Sequence, residues 1–463
     1  MRLKILFPGA LLLLLAPALL SLEPAADPRL AGASRGEMKN GWVPVRLQGS
    51  PGQIGFQHGY LLAREIEDTL AVTRLQLTHG VARDWNFYRS AVEKVLWPPV
   101  PEEYREEIRG MAAGLAARGV KADAVDLTVL NANIELGYYT AWLDKGGKPA
   151  APDRCSAFVA TGSYTRDGKV VIGHNNWSGY LEGARWNIIF DLRPSKGHRI
   201  LMDGFPGFIH SGDDFGLNSA GLVITETTIT AFHGFDPRGV PEFVRARRAM
   251  QYAASIDEFA AIMKEGNNGG YANAWLVADL NRNEIARLEL GLKNVTLERS
   301  RDGYFVGSNF PVLPKLAAEE TDFPVKDMSV SANARRVRWE RLMAQHKGRI
   351  DMAAGKAFLA DHFDSYEKKA GAPSERTLCG HVDLSPRGLK PWQEPFGPAG
   401  AVQNKMTTAE MARRMEMEAA LGHSCGIGFR AAEFLAKHPE FGWMKPLLKD
   451  LPSQPWTKFA AAR

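Results

Sequence analysis

Between Ser156 and Ile172 the pattern of residues favours a β-hairpin, and that hairpin decides what stands beside what. Ser156 to Tyr164 is rich in β-formers, Asp167-Gly168 is a two-residue turn signal, and Lys169 to Ile172 is the return strand. Cys155 then opens the first strand and Gly173 to Trp177 ends the second, so a thiol faces a His-Asn-Asn-Trp cluster. Two readings compete on this segment alone. One is a catalytic centre; the other is a small buried hydrophobe at a strand start, where most free cysteines belong.

The flanking regions differ in character. Before the hairpin, a short strand at Val43 to Leu47 and a Gly49-Ser50-Pro51-Gly52 turn lead into a helix with Leu62, Ile66 and Leu70 on one face. A second amphipathic helix carries Tyr104, Ile108, Met111 and Leu115. After the hairpin, strands are expected at Trp186 to Leu192, Gly221 to Ile229, and in a hairpin of Ala274 to Leu280 with Glu284 to Leu290. A further hairpin is expected from Val295 to Glu298 and Tyr304 to Ser308 around Asp302-Gly303. A helix over Pro241 to Lys264 is broken near Ser255, where Ser255 and Glu258 form a capping-box pattern. The last third reads as helical, with Trp339, Leu342 and Met343 on one helix, Pro/Gly-rich loops over 371–404, and a helix opening at Thr407 with Glu410 as its capping partner. Antiparallel sheets covered by helices, an α+β fold in one compact unit, follow from this order.

At the N-terminus, Arg2 and Lys4 precede an apolar run from Leu11 to Leu22 and then Glu23-Pro24-Ala25-Ala26. This is the layout of a secretory leader over residues 1–26, which predicts a secreted or periplasmic protein; an uncleaved anchor is the alternative. The chain has three cysteines, Cys155, Cys379 and Cys425. In an oxidising compartment two are expected to pair, and if Cys155 is the odd one, Cys379 and Cys425 are the candidate disulfide; three separate thiols is the other reading. No Cys-x-x-Cys and no His-Glu-x-x-His occurs, so no dedicated zinc site is expected. His210, Asp213 and Asp214 suit a capped turn better than a metal. A net charge of +5 spread along 463 residues, without a Lys/Arg-dense block, argues against a nucleic-acid partner.

Several stretches together resemble the phospholipase B-like proteins of the N-terminal-nucleophile (Ntn) hydrolase superfamily. They are Gly173-His-Asn-Asn-Trp-Ser, Phe205-Pro-Gly-Phe-Ile-His-Ser-Gly-Asp-Asp-Phe, Leu222-Val-Ile-Thr-Glu-Thr-Thr, Asn267-Asn-Gly-Gly-Tyr-Ala-Asn-Ala-Trp-Leu-Val-Ala-Asp and Gly307-Ser-Asn-Phe-Pro, in that family's order. Gly49-Ser-Pro-Gly-Gln-Ile-Gly-Phe-Gln-His-Gly is similar to the opening motif of isopenicillin N acyltransferases. The resemblance covers roughly residues 43–345 and implies a four-layer αββα sandwich made as a precursor, cleaved between Arg154 and Cys155. A mainly helical chain, 27–154, would pack with a catalytic chain, 155–463, as one domain.

By that resemblance Cys155 is the nucleophile, and its freed α-amine, with an ordinary pKa of about 7.7–8.0, takes the thiol's proton. Similarity to choloylglycine hydrolases gives Asn309 and Thr228 to the oxyanion and Arg335 to the orientation of the nucleophile. His174, Trp177 and Asn273 are candidate substrate-binding residues. The superfamily Asp that bonds the α-amine is replaced here by Trp177, and a superfamily Arg position holds His174; both departures are shared with phospholipase B-like proteins. Bland readings stand beside these: His174 as a strand-end hydrogen-bonder, Trp177 as core, Asn309 as a turn residue, and Arg335 as one of a solvated cluster with Arg336 and Arg338. Asn176-Trp-Ser and Asn294-Val-Thr are formal glycosylation sequons.

The expected activity is removal of acyl groups from lipids, phospholipids or lysophospholipids, with no cofactor and a transient contact with a membrane surface. An amidase or acyltransferase on N-acyl small molecules is the alternative within the same chemistry. A secreted lipid-binding protein that has lost activity is the alternative outside it.

Overall fold

A computed structural model describes residues 27–145, 154–212, 215–385 and 398–462. The segment 1–26, expected as a leader, and Asp153, Asp213 and Asp214 lie outside the described residues.

The strands, in chain order, are β1 (Ser34–Arg35), β2 (Val43–Gly49), β3 (Arg154–Thr161), β4 (Val171–Gly179) and β5 (Ile188–Pro194). There follow β6 (Ile200–Gly204), β7 (Gly216–Asn218), β8 (Leu222–Thr228), β9 (Asn273–Asp279) and β10 (Glu284–Leu290). The last are β11 (Val295–Ser300), β12 (Gly303–Gly307), β13 (Ala399–Thr408), β14 (Glu416–Leu421) and β15 (Thr457–Ala460). They form a nine-stranded sheet in the order β1-β2-β5-β6-β7-β8-β9-β10-β11 and a six-stranded sheet in the order β12-β3-β4-β13-β14-β15. Among these strands every pairing is antiparallel except β2 with β5.

Alternation along each strand sends successive side chains to opposite faces, and the buried clusters follow it. On one face of the large sheet, Phe190, Ile224, Trp275 and Leu288 meet Ile66, Ile108, Met111, Leu127 and Leu136 of the N-terminal helices. Between the sheets, Ala157, Val159 and Ile172 meet Ile189, Leu201, Val223 and Leu276. On the far face of the small sheet, Phe158, Ala160 and Val171 meet Trp339, Leu342, Met343 and Phe358. Helix, sheet, sheet, helix is the four-layer αββα order expected. Among the described residues, no helix is long and apolar enough to cross a membrane.

The motif from Gly49 to Gly59 has a packing explanation. Helix Pro51–Leu61 lies directly on helix Glu102–Ala117: a Cβ at Gly55 would stand 1.8 Å from the Glu107 carbonyl oxygen, and one at Gly59 2.1 Å from that of Met111. Only glycine lets the two backbones approach this closely. Ser50 and Gln53 close a reciprocal capping box at the helix start.

Three sequence expectations are corrected. Val295–Ser300 and Gly303–Gly307 are not a hairpin: β11 pairs with β10 in the large sheet and β12 with β3 in the small one, so the chain changes sheets at Arg301-Asp302. Residues 399–408, read as loop and helix start, form β13, which lies between β4 and β14. Gln403, Asn404 and Lys405 disguise it, because polar side chains in a buried strand erase the apolar alternation that marks one. The helix after it, Ala409–Arg413, is capped by Thr408, whose hydroxyl accepts from the Met411 N–H at 3.3 Å. By contrast, the predicted break near Ser255 is present: the helices are Glu242–Tyr252 and Ile256–Lys264, with Ser255 capping the second.

Candidate active site

The β3–β4 hairpin brings Cys155 directly opposite Asn176, with Ser156 opposite Asn175, Ala157 opposite His174, and Arg154 opposite Trp177. Cys155, Ala157, His174 and Asn176 therefore share the face that looks into the space between the sheets, where Ala157 packs. The Cys155 thiol lies 3.8 Å from Asn176 Oδ1 and is 1% exposed.

Both main-chain groups of Cys155 are held. Its N–H donates to Asn309 Oδ1 at 3.0 Å, and its carbonyl accepts from Arg335 Nη1. Arg335 also donates to Ser156 Oγ (3.1 Å), Asn309 Oδ1 (2.9 Å) and Ser331 Oγ (3.0 Å). Asn309 Nδ2 donates to the Thr228 carbonyl at 2.9 Å, and the Asn309 carbonyl accepts from the Thr230 N–H at 3.2 Å. Asn309 adopts φ +71°, a left-handed conformation that Asn tolerates better than most residues. That turn, following β12 at the edge of β3, swings its amide across the start of β3.

Arg335 separates from its neighbours in the first turns of helix Ser331–Gln345. It is fully buried, with its guanidinium carbon 4.4 Å from the centroid of the Trp177 ring, whereas Arg336 pairs with Glu340 (3.1 Å) and Arg338 with Asp361 (2.6 Å) at half-buried positions. The helix phase turns one arginine of the run inward and leaves the others to carboxylates.

Two candidate substrate-binding residues fall elsewhere. Trp177 stands on the opposite face of the small sheet from the thiol, packed on Arg335, Val382 and Ala401; the two-residue period of the strand excludes it from the thiol's side. Asn273 faces the N-terminal helices along with Trp275 and Val277. In the amide orientation that satisfies both ends it donates to Glu226 Oε2 (2.9 Å) and the Ala272 carbonyl (2.9 Å). The Thr228 side chain shares that outer face, its hydroxyl donating to Tyr271 Oη at 3.0 Å and Tyr271 in turn to Glu226 Oε1 at 3.1 Å. Thr228 reaches the site through its backbone alone. His174 is buried on the thiol's face.

On that same face lies a polar network that the sequence did not disclose. Gln403 pairs with Asn176 and Lys405 with His174 across β4 and β13. Lys405 Nζ is 3.0 Å from Asp203 Oδ2 with both side chains fully buried, Gln403 Nε2 donates to the same carboxylate at 2.8 Å, and Ser211 Oγ donates to Asp203 Oδ1 at 2.9 Å. Apart from Ser211, which sits in a quoted motif, nothing in the local pattern marks these residues; they meet only because β6 and β13 face each other.

The remaining assignments are quickly placed. All three cysteines are free thiols, so the candidate Cys379–Cys425 disulfide is not formed; both sulfurs instead lie beside His381. His210 packs against Phe208 and Phe243. Asn294, the second sequon, is buried and donates to Glu319 (3.0 Å) and Glu320 (2.8 Å), and Asn176 is 1% exposed. Neither is available to a glycan. His58 of the Gly49–Gly59 motif accepts the Gly207 N–H at 3.0 Å, and burial pushes its pKa down to about 3.

Comparison with known proteins gives a consistent picture. The sequence profile of the phospholipase B family matches residues 104–291, a span that contains Cys155, His174, Trp177, Thr228 and Asn273 and ends before Asn309 and Arg335. An uncharacterized protein of Archaeoglobus fulgidus is 28% identical over 335 residues, 64% of this chain and 51% of that protein. Putative phospholipase B-like 1 of Caenorhabditis elegans is 24% identical over 332 residues, 63% of this chain and 58% of that protein. Putative phospholipase B-like 2 of Rattus norvegicus is 25% identical over 314 residues, 58% of this chain and 53% of that protein. The chain thus spans about half the length of the curated relatives it matches. Among solved structures, a variant of the conjugated bile acid hydrolase from Clostridium perfringens covers 58% of this chain and 89% of its own at 10% identity, with a TM-score of 0.33, too loose to equate residues. Over the matched span the chain is similar to the phospholipase B-like proteins.

Proposed function

We propose that this protein is an acyl hydrolase made as a precursor, with Cys155 as its nucleophile. The observation that carries the reading is the grip on Cys155: Asn309 holds its N–H and Arg335 its carbonyl, which fixes the main chain at the bond to be cut and sets the thiol beside Asn176 Oδ1. A structural cysteine needs neither.

In the processing step the Cys155 sulfur adds to the Arg154 carbonyl carbon and the Arg154–Cys155 C–N bond breaks. The nitrogen takes a proton and becomes the α-amine of Cys155, and water hydrolyses the resulting thioester to a free thiol and an Arg154 carboxylate. Asn309 Oδ1, already on that nitrogen, is then the group that orients the α-amine, the task for which the superfamily uses an Asp. Trp177 cannot perform it from the opposite face of the sheet.

In turnover the thiol's proton passes to the α-amine and the sulfur adds to the substrate's acyl carbonyl. The alkoxide leaves with that proton, and water hydrolyses the acyl-Cys155 thioester. Asn309 Nδ2 has two hydrogens and spends one on the Thr228 carbonyl, so the second is the side-chain donor for the oxyanion. Lipid acyl esters, phospholipid or lysophospholipid, are the substrate class to which the family likeness points, and the apolar run at Leu11 to Leu22 supports export.

Intact-mass and N-terminal analysis of the purified full chain tests the reading. A new chain beginning at Cys155, absent in Cys155→Ala, is expected, followed by release of fatty acid from lysophospholipid vesicles. Wild-type protein that stays uncleaved on prolonged incubation, or Cys155→Ala that is cleaved normally, overturns it.

A further inference from the structure

Three loops converge behind Trp177. His362 follows helix Met352–Leu359, Cys379 and His381 lie ahead of β13, and Cys425 follows β14. Each directs one ligand atom to a common point, all within 4.8 Å of one another; Cys379 and His381 are buried, and His362 and Cys425 are half-buried. His381 Nε2 is 3.5 Å from Cys379 Sγ and 3.3 Å from Cys425 Sγ. With zinc–sulfur bonds of about 2.3 Å and zinc–nitrogen bonds of about 2.0–2.1 Å, the sulfur–nitrogen edge of a tetrahedron is about 3.6 Å. The two sulfurs are disposed around one imidazole nitrogen, with a second imidazole closing the set.

The surroundings fit a metal thiolate centre. Cys425 Sγ accepts the Ile427 N–H at 3.5 Å. His381, Asp383 and His423 form a second set within 4.8 Å of one another, the His423 ring stacks on His381 at 3.9 Å between centroids, and Tyr180 donates to Asp383 Oδ1 at 2.6 Å. Asp383 thus lies near the His381 ring, though no hydrogen bond joins the two, and its Oδ1 is held by Tyr180.

We propose that His362, Cys379, His381 and Cys425 bind one structural zinc ion. Two thiolates and two imidazoles are the soft-to-borderline donor set that selects zinc over calcium or magnesium, and four protein ligands leave no open position for chemistry. Binding releases the two thiol protons to solvent and changes no oxidation state. Gly380, between two of the ligands, is pressed on the Trp177 indole, where an added Cβ would stand 2.1 Å from the ring, and the Leu378 carbonyl accepts from Asn175 Nδ2 at 2.9 Å. The ion therefore fastens the 378–382 segment to the back of β4, the strand whose other face carries Asn176 and the Cys155 thiol. The zinc site stands independently of any activity assigned to Cys155.

The test is metal analysis of the full-length protein purified without chelators. About one zinc per chain is expected by inductively coupled plasma mass spectrometry, falling at least five-fold in Cys425→Ser and in His362→Ala. Cobalt exchanged into wild-type protein should give a thiolate charge-transfer band and the intense visible bands of a tetrahedral site, a readout that needs no variant to fold. Wild-type protein with a Cys379–Cys425 disulfide in non-reduced peptide maps, no zinc and no cobalt–thiolate band overturns the proposal.

Discussion

The main-chain N–H of Cys155 and the guanidinium of Arg335 converge on one atom, the side-chain oxygen of Asn309, at 3.0 and 2.9 Å. That oxygen fixes the nitrogen of the Arg154–Cys155 bond, so replacing it should be felt at the bond itself. In Asn309→Ala, processing is expected to slow by about 10²-fold or more, the usual cost of losing one oriented donor or acceptor at a reacting centre. Densitometry of the precursor and product chains over time measures it, with circular dichroism confirming that the variant is folded. Unchanged processing in a folded variant would remove Asn309 from the mechanism.

Arg335 tests the same relationship from the other side. Lysine keeps the charge but not the fork that reaches Cys155, Ser156, Asn309 and Ser331 together. Arg335→Lys is expected to cost about 2–4 kcal/mol of stability, because buried acceptors lose their donors, and to slow processing. Arg336→Lys, on the same helix but paired with Glu340 near the surface, should change neither. Urea denaturation of both variants provides the comparison.

The pair of Asp203 and Lys405 is buried on the thiol's face. Lys405→Met removes the cation from a carboxylate that also accepts from Gln403 and Ser211. A loss of about 3–5 kcal/mol is expected from stranding a buried charge, partly recovered in the double variant Asp203→Asn with Lys405→Met. A double variant no more stable than the single one would show that the pair's desolvation is not the controlling term.

Helix packing at Gly55 makes a steric prediction. A methyl group there must displace the Glu107 carbonyl, which an ideal Cβ would approach to 1.8 Å. Gly55→Ala should destabilise the protein by about 1–3 kcal/mol or more despite alanine's higher helix propensity, read as a lower urea midpoint. Gly52→Ala on the same helix, where a Cβ meets nothing within 4 Å, is the control and should be neutral or stabilising.

Acid should unfold the protein partly through His58. Its pKa is held near 3 by burial, while an unfolded chain protonates histidine near 6.5. The unfolded state therefore binds more protons between those values, and stability is full above pH 6.5 and falls as pH drops towards 3, by up to about 1.4 kcal/mol per pH unit. His58→Gln, which can still accept the Gly207 N–H, should flatten that part of the profile; an unchanged slope would assign it to other groups.

What could be read from the residues alone, and what could not, divides along a physical line. The β3–β4 hairpin was legible because turn chemistry and β-propensity are local, and with it came the apposition of Cys155 and the His-Asn-Asn-Trp cluster. The amphipathic helices were legible because each must bury one stripe. The order of quoted motifs carried the likeness to the phospholipase B-like proteins and the expectation of a four-layer fold. Strand faces were harder: a one-residue difference in phase puts Trp177 behind the sheet and Asn176 beside the thiol.

Tertiary structure alone decided the rest, because it depends on which strands pair and which loops meet. The change of sheet between β11 and β12 delivers Asn309 to β3, where local turn signals suggested a hairpin. The buried polar strand β13 brings Gln403 and Lys405 to Asp203, and polar residues in a strand leave no periodic mark. His362, Cys379, His381 and Cys425 come from three loops, so no local spacing announces them; Cys379-Gly-His381 was the single local sign. Sequence determined which residues can do chemistry and which segments fold as units, since those follow from side-chain type and short-range geometry. The packing of two sheets determined which of them share a face, and in that shared face the protein's candidate chemistry resides.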